Sequence, residues 1–271
     1  MTKIPYAHID AFADRPFTGN QAAVMPLDSW PEDDVLQAIG EENNFAETAF
    51  IVPDKSGEAD FELRWFTPSV EIRLCGHATL ASGHFILSQD NAKDLVTFRT
   101  RQAGILSVQR GVMADGQPGY DMALPAITTE QTDLPEAAKA MGGEILEIWR
   151  NPDHYNLFRY GSAEEVLALR PDMKALAALG HDSFTATAPG TETDVVSRVF
   201  VPGAGVDEDS VTGSAHCVLT PYWAGQLGRD SFTAYQASER GGHVGCRLDG
   251  DKAILSGKCV TVVEGVFNLP D

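Results

Sequence analysis

With 271 residues, 43% of them hydrophobic and 22% charged, the chain is long enough for one large or two ordinary packed domains. Its formal net charge of −19, from 20 basic and 39 acidic side chains, speaks against nucleic acid or anionic membrane as a partner, since basic patches hold both. No apolar run is long enough for a membrane-spanning helix, Met1–His8 lacks the apolar stretch of a secretion signal, and Cys75, Cys217, Cys246 and Cys259 have neither C-x-x-C nor metal-ligand spacing, so a cytoplasmic protein with reduced thiols and no metal is expected.

In chain order, Tyr6–Phe12 alternates and reads as a strand, residues 16–20 as a turn, and Ala22–Met25 as a second strand. Ser29 ahead of Pro31 and Glu32 has the form of a capping box and predicts a helix from Pro31 to about Glu42. Residues 43–52 enter a strand that carries Glu47 among Phe45, Ala46, Ala49 and Phe50, and Phe61–Pro68 makes another. The small and apolar run Ala78–Leu87, opened by Gly76, suits a buried helix. Three strands follow, Leu95–Thr100, Gly104–Gln109 and Gly119–Leu124. Asp133–Met141 is a helix stopped by Gly142-Gly143, and Ile145–Trp149 and Tyr155–Tyr160 are strands. Ser162 to Glu165 forms a second capping box, and Pro171–Leu179 is a helix stopped by Gly180. Strands at Ser183–Ala188 and Val195–Val201 lead to a helix from Gly213 to about Leu227, after which only strands remain. Short strands with one apolar helix per half predict an α+β fold of two lobes, each a barrel-like sheet wrapped around a central helix. The lobes are placed at 1–120, which the last strand (about 259–271) can complete, and 121–258.

The two central helices share an approach. Arg64-Trp65-Phe66-Thr67-Pro68 precedes Gly76-His77-Ala78, and Arg198-Val199-Phe200-Val201-Pro202 precedes Gly213-Ser214-Ala215. Both read R-x-F-x-P, loop, G-x-A, which points to an internal duplication. The first turn of a helix carries unpaired N–H groups and partial positive charge, and glycine there lets a ligand come close. Each half therefore offers an anion seat, with His77 beside the first. The same partial charge favours a neutral His77 ring. Duplicated halves commonly face each other across a cleft that holds the ligand.

These segments resemble a known family. Phe17-Thr18-Gly19-Asn20, Asn44 to Phe50, Cys75-Gly76-His77-Ala78-Thr79, Glu208 to His216 and Arg240-Gly241-Gly242 are similar to the PhzF family, the phenazine-biosynthesis isomerases of diaminopimelate-epimerase-like fold. The resemblance covers nearly the whole chain. It implies two pseudo-symmetric lobes with the site between them, a homodimer, no cofactor, and a reaction that moves a proton between ring carbons of a dihydro-hydroxyanthranilate. By resemblance Glu47 is the acid/base carboxylate, His77 and Asp209 assist, Asn20 lines the site, and Gly76, Gly213 and Ser214 hold the substrate carboxylate. Ser210 and Gln21 stand where the family usually has proline, and neither change removes a catalytic group.

Chemistry sets the alternatives. Moving a proton from carbon to carbon needs a base that becomes an acid and donors for the accumulating charge. A carboxylate in apolar company suits the first task, although a strand glutamate is also commonly a solvated one. His84, seven residues past His77, reads as structural. Ser214 and His216 lie two apart on a helix and outside any G-x-S-x-G, so no hydrolase is indicated. Cys75 has no partner thiol, since Thr212 stands before Gly213; a Cys75-dependent racemase and a non-catalytic metabolite- or partner-binding protein are the rival readings. The expected ligand is a small carboxylate-bearing metabolite.

Overall fold

The computed structural model describes residues 2–269. In order its elements are β1 (Thr2–Ala11), β2 (Asn20–Pro26), α1 (Asp33–Asn43), β3 (Glu47–Pro53), β4 (Phe61–Phe66), β5 (Glu71–Ile72), α2 (Gly76–Gln89), β6 (Leu95–Thr100), β7 (Ile105–Val112) and β8 (Pro118–Pro125). Then come β9 (Glu130–Gln131), α3 (Pro135–Met141), β10 (Ile145–Arg150), β11 (Tyr155–Tyr160), α4 (Ala163–Ala168), α5 (Met173–Ala177), β12 (Ser183–Pro189) and β13 (Val195–Val201). A 3-10 turn at Pro202–Ala204 leads to β14 (Val206–Asp209), α6 (Gly213–Leu227), β15 (Ser231–Gln236), β16 (Gly242–Asp249), β17 (Lys252–Gly257) and β18 (Cys259–Leu269). The chain forms two compact units. One runs to Ala123 and resumes at Ser256; the other is Leu124–Leu255.

In the first unit β1 pairs antiparallel with both β18 and β2, β2 runs parallel to β3, β3 antiparallel to β4, β4 parallel to β6, and β6, β7 and β8 antiparallel in turn. The second unit repeats the scheme. β10 is antiparallel to β11, β11 parallel to β12, β12 antiparallel to β13, β13 parallel to β15, and β15 antiparallel to β16. The short β5 and β14 sit at the same place, each antiparallel to the strand that carries R-x-F-x-P. The duplication read from two short motifs thus extends through the strand order.

Each parallel step needs a crossover, and the crossovers supply the helices. In the first unit α2 lies against β1, β2, β3, β6, β7 and β18, so the sheet surrounds it. Nine of its residues are buried, on every side, which is why its sequence shows no polar stripe. Contact with the sheet is close enough that a Cβ on Gly83 would stand 2.4 Å from Val108 Cγ1. The helix α6 lies against β11 and β16 in the second unit and is buried in the same way. Pro221 inside α6 cannot donate to the Cys217 carbonyl four residues back; the Ile127 backbone N–H does so instead at 3.0 Å. The remaining helices cover the outside. Leu36 and Ile39 of α1 pack with Ile4, Met25, Phe50 and Phe66. Met141, Val166 and Leu176, from α3, α4 and α5, pack with Phe158, Phe184 and Phe200.

One local expectation is corrected and one is met. Ser29 caps nothing: Glu32, extended at ψ 149°, is the N-cap of α1, without a side-chain bond, and the helix starts two residues after Pro31. Ser162 does cap α4, accepting from the Glu165 N–H at 3.3 Å, while Glu165 Oε2 accepts from the Gly161 N–H at 2.8 Å. The last of the resembling motifs, Arg240-Gly241-Gly242, is a tight turn in which Gly241 takes φ +65° and a Cβ there would meet the Tyr235 hydroxyl at 2.0 Å.

Candidate active site

In the first unit four of the side chains singled out converge. Glu47 is the first residue of β3, paired in register with Ala22 of β2, and its side chain is 15% exposed. Its Oε2 lies 2.8 Å from His77 Nε2. His77, 4% exposed, is the second residue of α2, and Asn20, 2% exposed, begins β2. The Asn20 side-chain amide lies 3.2 Å from His77 Nδ1, so each ring nitrogen has a polar neighbour. Cys75, the N-cap of α2, places Sγ 3.5 Å from Nδ1 and 4.0 Å from Nε2. Gly76 is buried between them in sequence and opens a helix whose first turn no side chain caps.

The electrostatics correct one expectation. Burial disfavours a charged His77, but the Cys75 sulfur and the Glu47 carboxylate more than offset it and hold the ring proton well above the ordinary histidine range. Burial and the Glu47 charge push the Cys75 thiol up to about 11, so at neutral pH it is uncharged. The carboxylate is therefore what holds the His77 proton there. A full charge at 2.8 Å outweighs the half charge of a helix start, so the ring is cationic where the helix dipole alone predicted it neutral.

In the second unit Asp209 ends β14 and its Oδ2 accepts from the Thr212 hydroxyl at 2.5 Å. Gln236, fully buried, ties this corner together. Its Nε2 donates to the Asp209 carbonyl at 2.8 Å and to Thr212 Oγ1 at 3.1 Å, and its Oε1 accepts from the Thr212 N–H at 2.9 Å. Gly213 and Ser214 then open α6, again with no side-chain cap on the first turn. Of the sequence candidates, Asn20, Glu47, Gly76 and His77 thus form one cluster, and Asp209, Gly213 and Ser214 another.

Sequence reasoning missed what fixes both helix starts. Arg64 donates in a fork to Glu71, Nε to Oε1 at 2.8 Å and Nη2 to Oε2 at 2.7 Å. Arg198 does the same to Glu208, at 2.7 and 2.9 Å. Both guanidiniums stack on the phenylalanine of their own motif, at 5.0 Å from the Phe66 and Phe200 rings. Glu71 and Glu208 each stand five residues before the helix glycine (76 − 71 and 213 − 208), so this part of the repeat was present in the spacing. Gln236 had no such signal. It acts across 24 residues of chain from a strand end.

A duplicated α+β fold with a carboxylate from a strand start set against an imidazole at the start of a central helix defines the class: an epimerase-like fold. The particular family follows from comparison. A family model described as phenazine biosynthesis-like protein, PhzC–PhzF, matches residues 9–265, and the chain belongs to that family. Two Pseudomonas aeruginosa proteins named as uncharacterized isomerases are 43% and 42% identical to it, over 98% and 96% of this chain and 99% and 97% of theirs. The crystal structure of an Enterococcus faecalis PhzF-family protein superposes with a TM-score of 0.89 at 38% identity, covering 99% of this chain and 100% of that one. A hydroxyproline epimerase from Agrobacterium vitis, at 12% identity, shares the fold with a TM-score of 0.62 over 99% of this chain and 93% of its own. No helix among the described residues is long and apolar enough to cross a membrane.

Proposed function

We propose that this chain is a cofactor-independent isomerase that moves a proton between carbons of a small carboxylate-bearing metabolite, or epimerises one. The observation that carries the reading is the Glu47–His77 pair at 2.8 Å with Asn20 on the far ring nitrogen. In this reading the uncapped N–H groups at Gly76 anchor the substrate carboxylate, the role that the resemblance also gives to Gly213 and Ser214. Glu47 takes a proton from carbon, the electron pair spreads into the conjugated carboxylate, and Glu47 returns the proton to carbon. Cationic His77 fixes one carboxylate oxygen and leaves Oε1 to meet the substrate. The resemblance gives Asp209, held by Thr212 and Gln236, an assisting role. Relatives named as isomerases favour a catalytic over a merely binding role. A Cys75-dependent racemase is disfavoured, since a thiol pushed up to about 11 keeps its proton at neutral pH. The homodimer implied by the resemblance and the cytoplasmic location expected from the sequence complete the proposal.

The test is carbon-bound hydrogen exchange. Incubated with candidate carboxylates in heavy water, the protein introduces deuterium at carbon, and Glu47→Gln lowers that rate by at least about a thousandfold, as loss of an acid/base group does. Binding without exchange for every carboxylate that binds rejects catalysis. Exchange that survives Glu47→Gln and is lost in Cys75→Ala rejects the glutamate as base.

A further inference from the structure

We propose that the open edge of β18 is the surface on which a second copy of this chain docks, strand against strand about a two-fold axis at Gly265. The proposal rests on the homodimer part of the reading above and not on the isomerase part.

One edge of β18 is taken by β1, from Cys259 opposite Ala11 to Leu269 opposite Thr2. The other edge is open to solvent. Gly265, which has only backbone to show, is exposed, and a Cβ on it would meet nothing within 4 Å. A bare edge offers a row of unpaired N–H and C=O groups, and proteins guard such rows with lysine, proline or clustered charge. The guards are missing here. Glu264 is the one charged residue among the eleven of β18, which holds neither proline nor lysine. Val263 and Val266, on either side of Glu264 and Gly265, are 46% and 55% exposed.

Charge and symmetry name the occupant. Two copies at −19 each repel, so they meet most readily where charge is sparse, as it is along β18. Two identical edges pair antiparallel about a two-fold axis, and in a continuous sheet that axis passes through a residue that faces its own copy. An axis at Glu264 would set two carboxylates directly opposite each other. An axis one residue on, at Gly265, sets Glu264 opposite Val266 of the second copy and Val263 opposite its Phe267, and keeps more of the strand paired than any later centre. Phe267 and Leu269 lie on the face packed against α1, and strand alternation puts Val263 on that face too. A groove of about 770 Å³ runs there between Val35 and Ala38 of α1 and Phe267 and Leu269 of β18. The paired Val263 and Phe267 side chains cover it. In this register the edge is complementary to itself.

Sedimentation equilibrium of the full chain should return twice the mass of one chain. Val266→Glu sets a carboxylate opposite Glu264 twice per dimer and should raise the dissociation constant about tenfold or more. Val266→Lys, the opposite sign at the same position, should not weaken the dimer. Val112→Glu, at an exposed position of β7, should leave it unchanged. Gly265→Cys should close a disulfide between two copies under oxidised glutathione, because facing residues of antiparallel strands lie about 4.5–5.5 Å apart, within disulfide reach; Val112→Cys should not. A wild-type chain that sediments as a monomer overturns both the surface and the homodimer. A dimer that withstands Val266→Glu, or in which Gly265→Cys does not cross-link, overturns the surface and leaves the homodimer to another face.

Discussion

His84 and His216 show how burial alone sets a side chain's chemistry. Burial, with the Arg110 charge adding to it, pushes His84 down to about 4; its two nitrogens meet Tyr120 and Thr261 at 3.0 and 2.9 Å. Burial pushes His216 down to about 4, its Nδ1 donating to the Thr212 carbonyl at 2.8 Å. Both pKa values are depressed on folding, so their contribution is present above about pH 6.5 and is lost as pH falls toward 4, about 3 kcal/mol each. His77 has the opposite sign: its contribution is present below about 6.5 and fades as pH rises through its raised folded value. Urea unfolding between pH 7 and 4 should therefore show a steep loss of stability, and His84→Gln should flatten it. An unchanged acid limb in that variant assigns the loss to other groups. The residue scale was partly legible. Glu47 and His77 are named by motif, but their mutual distance, and hence the ring charge, depends on a strand start and a helix start 30 positions apart in number.

At the scale of elements, the repeated R-x-F-x-P proves to be one arm of a clamp. Arg64 ties the turn before α2 to Asp33 at the start of α1, at 2.8 Å. Arg198 ties the turn before α6 to the end of α4, donating to the Val166 and Leu169 carbonyls at 3.3 and 3.0 Å. Both arginines are under 10% exposed, at 3% and 9%. Arg198→Leu leaves Glu208 and two carbonyls without their donor and should cost about 2–4 kcal/mol, read as a lower urea midpoint at unchanged slope. Arg198→Lys should recover less than half of that, because an ammonium cannot reproduce the fork. Full recovery by lysine would show that charge alone matters. The long central helices and most strands were legible from period and turn residues. The two-residue β5 and the four-residue β14, which carry the glutamates of the clamps, are too short to leave a period at all.

At the scale of the molecule, the first unit is discontinuous in sequence. Its strand β1 has β2 on one side and β18 on the other, in register from Thr2 opposite Leu269 to Ala11 opposite Cys259. Removing the chain from Cys259 onward strips one whole side of β1 and one wall of the sheet around α2. The truncated chain should lose protease resistance in residues 2–123 while a fragment close to 124–255 survives, as limited proteolysis and mass mapping would show. Equal sensitivity of both units would mean that they fold as one. The duplication was legible in outline from two motifs, whereas the matching order of parallel and antiparallel pairs lay beyond reach, since register depends on partners distant in sequence.

That pairing of β1 with β18 also fixes a timetable. As the chain leaves the ribosome, the whole of the second unit is available before β18 has been made. At about 5–20 residues per second, β1 waits on the order of ten seconds or more with one edge bare and its helix half enclosed. During synthesis the first unit is the later of the two to be completed, since β18 follows the whole of the second unit.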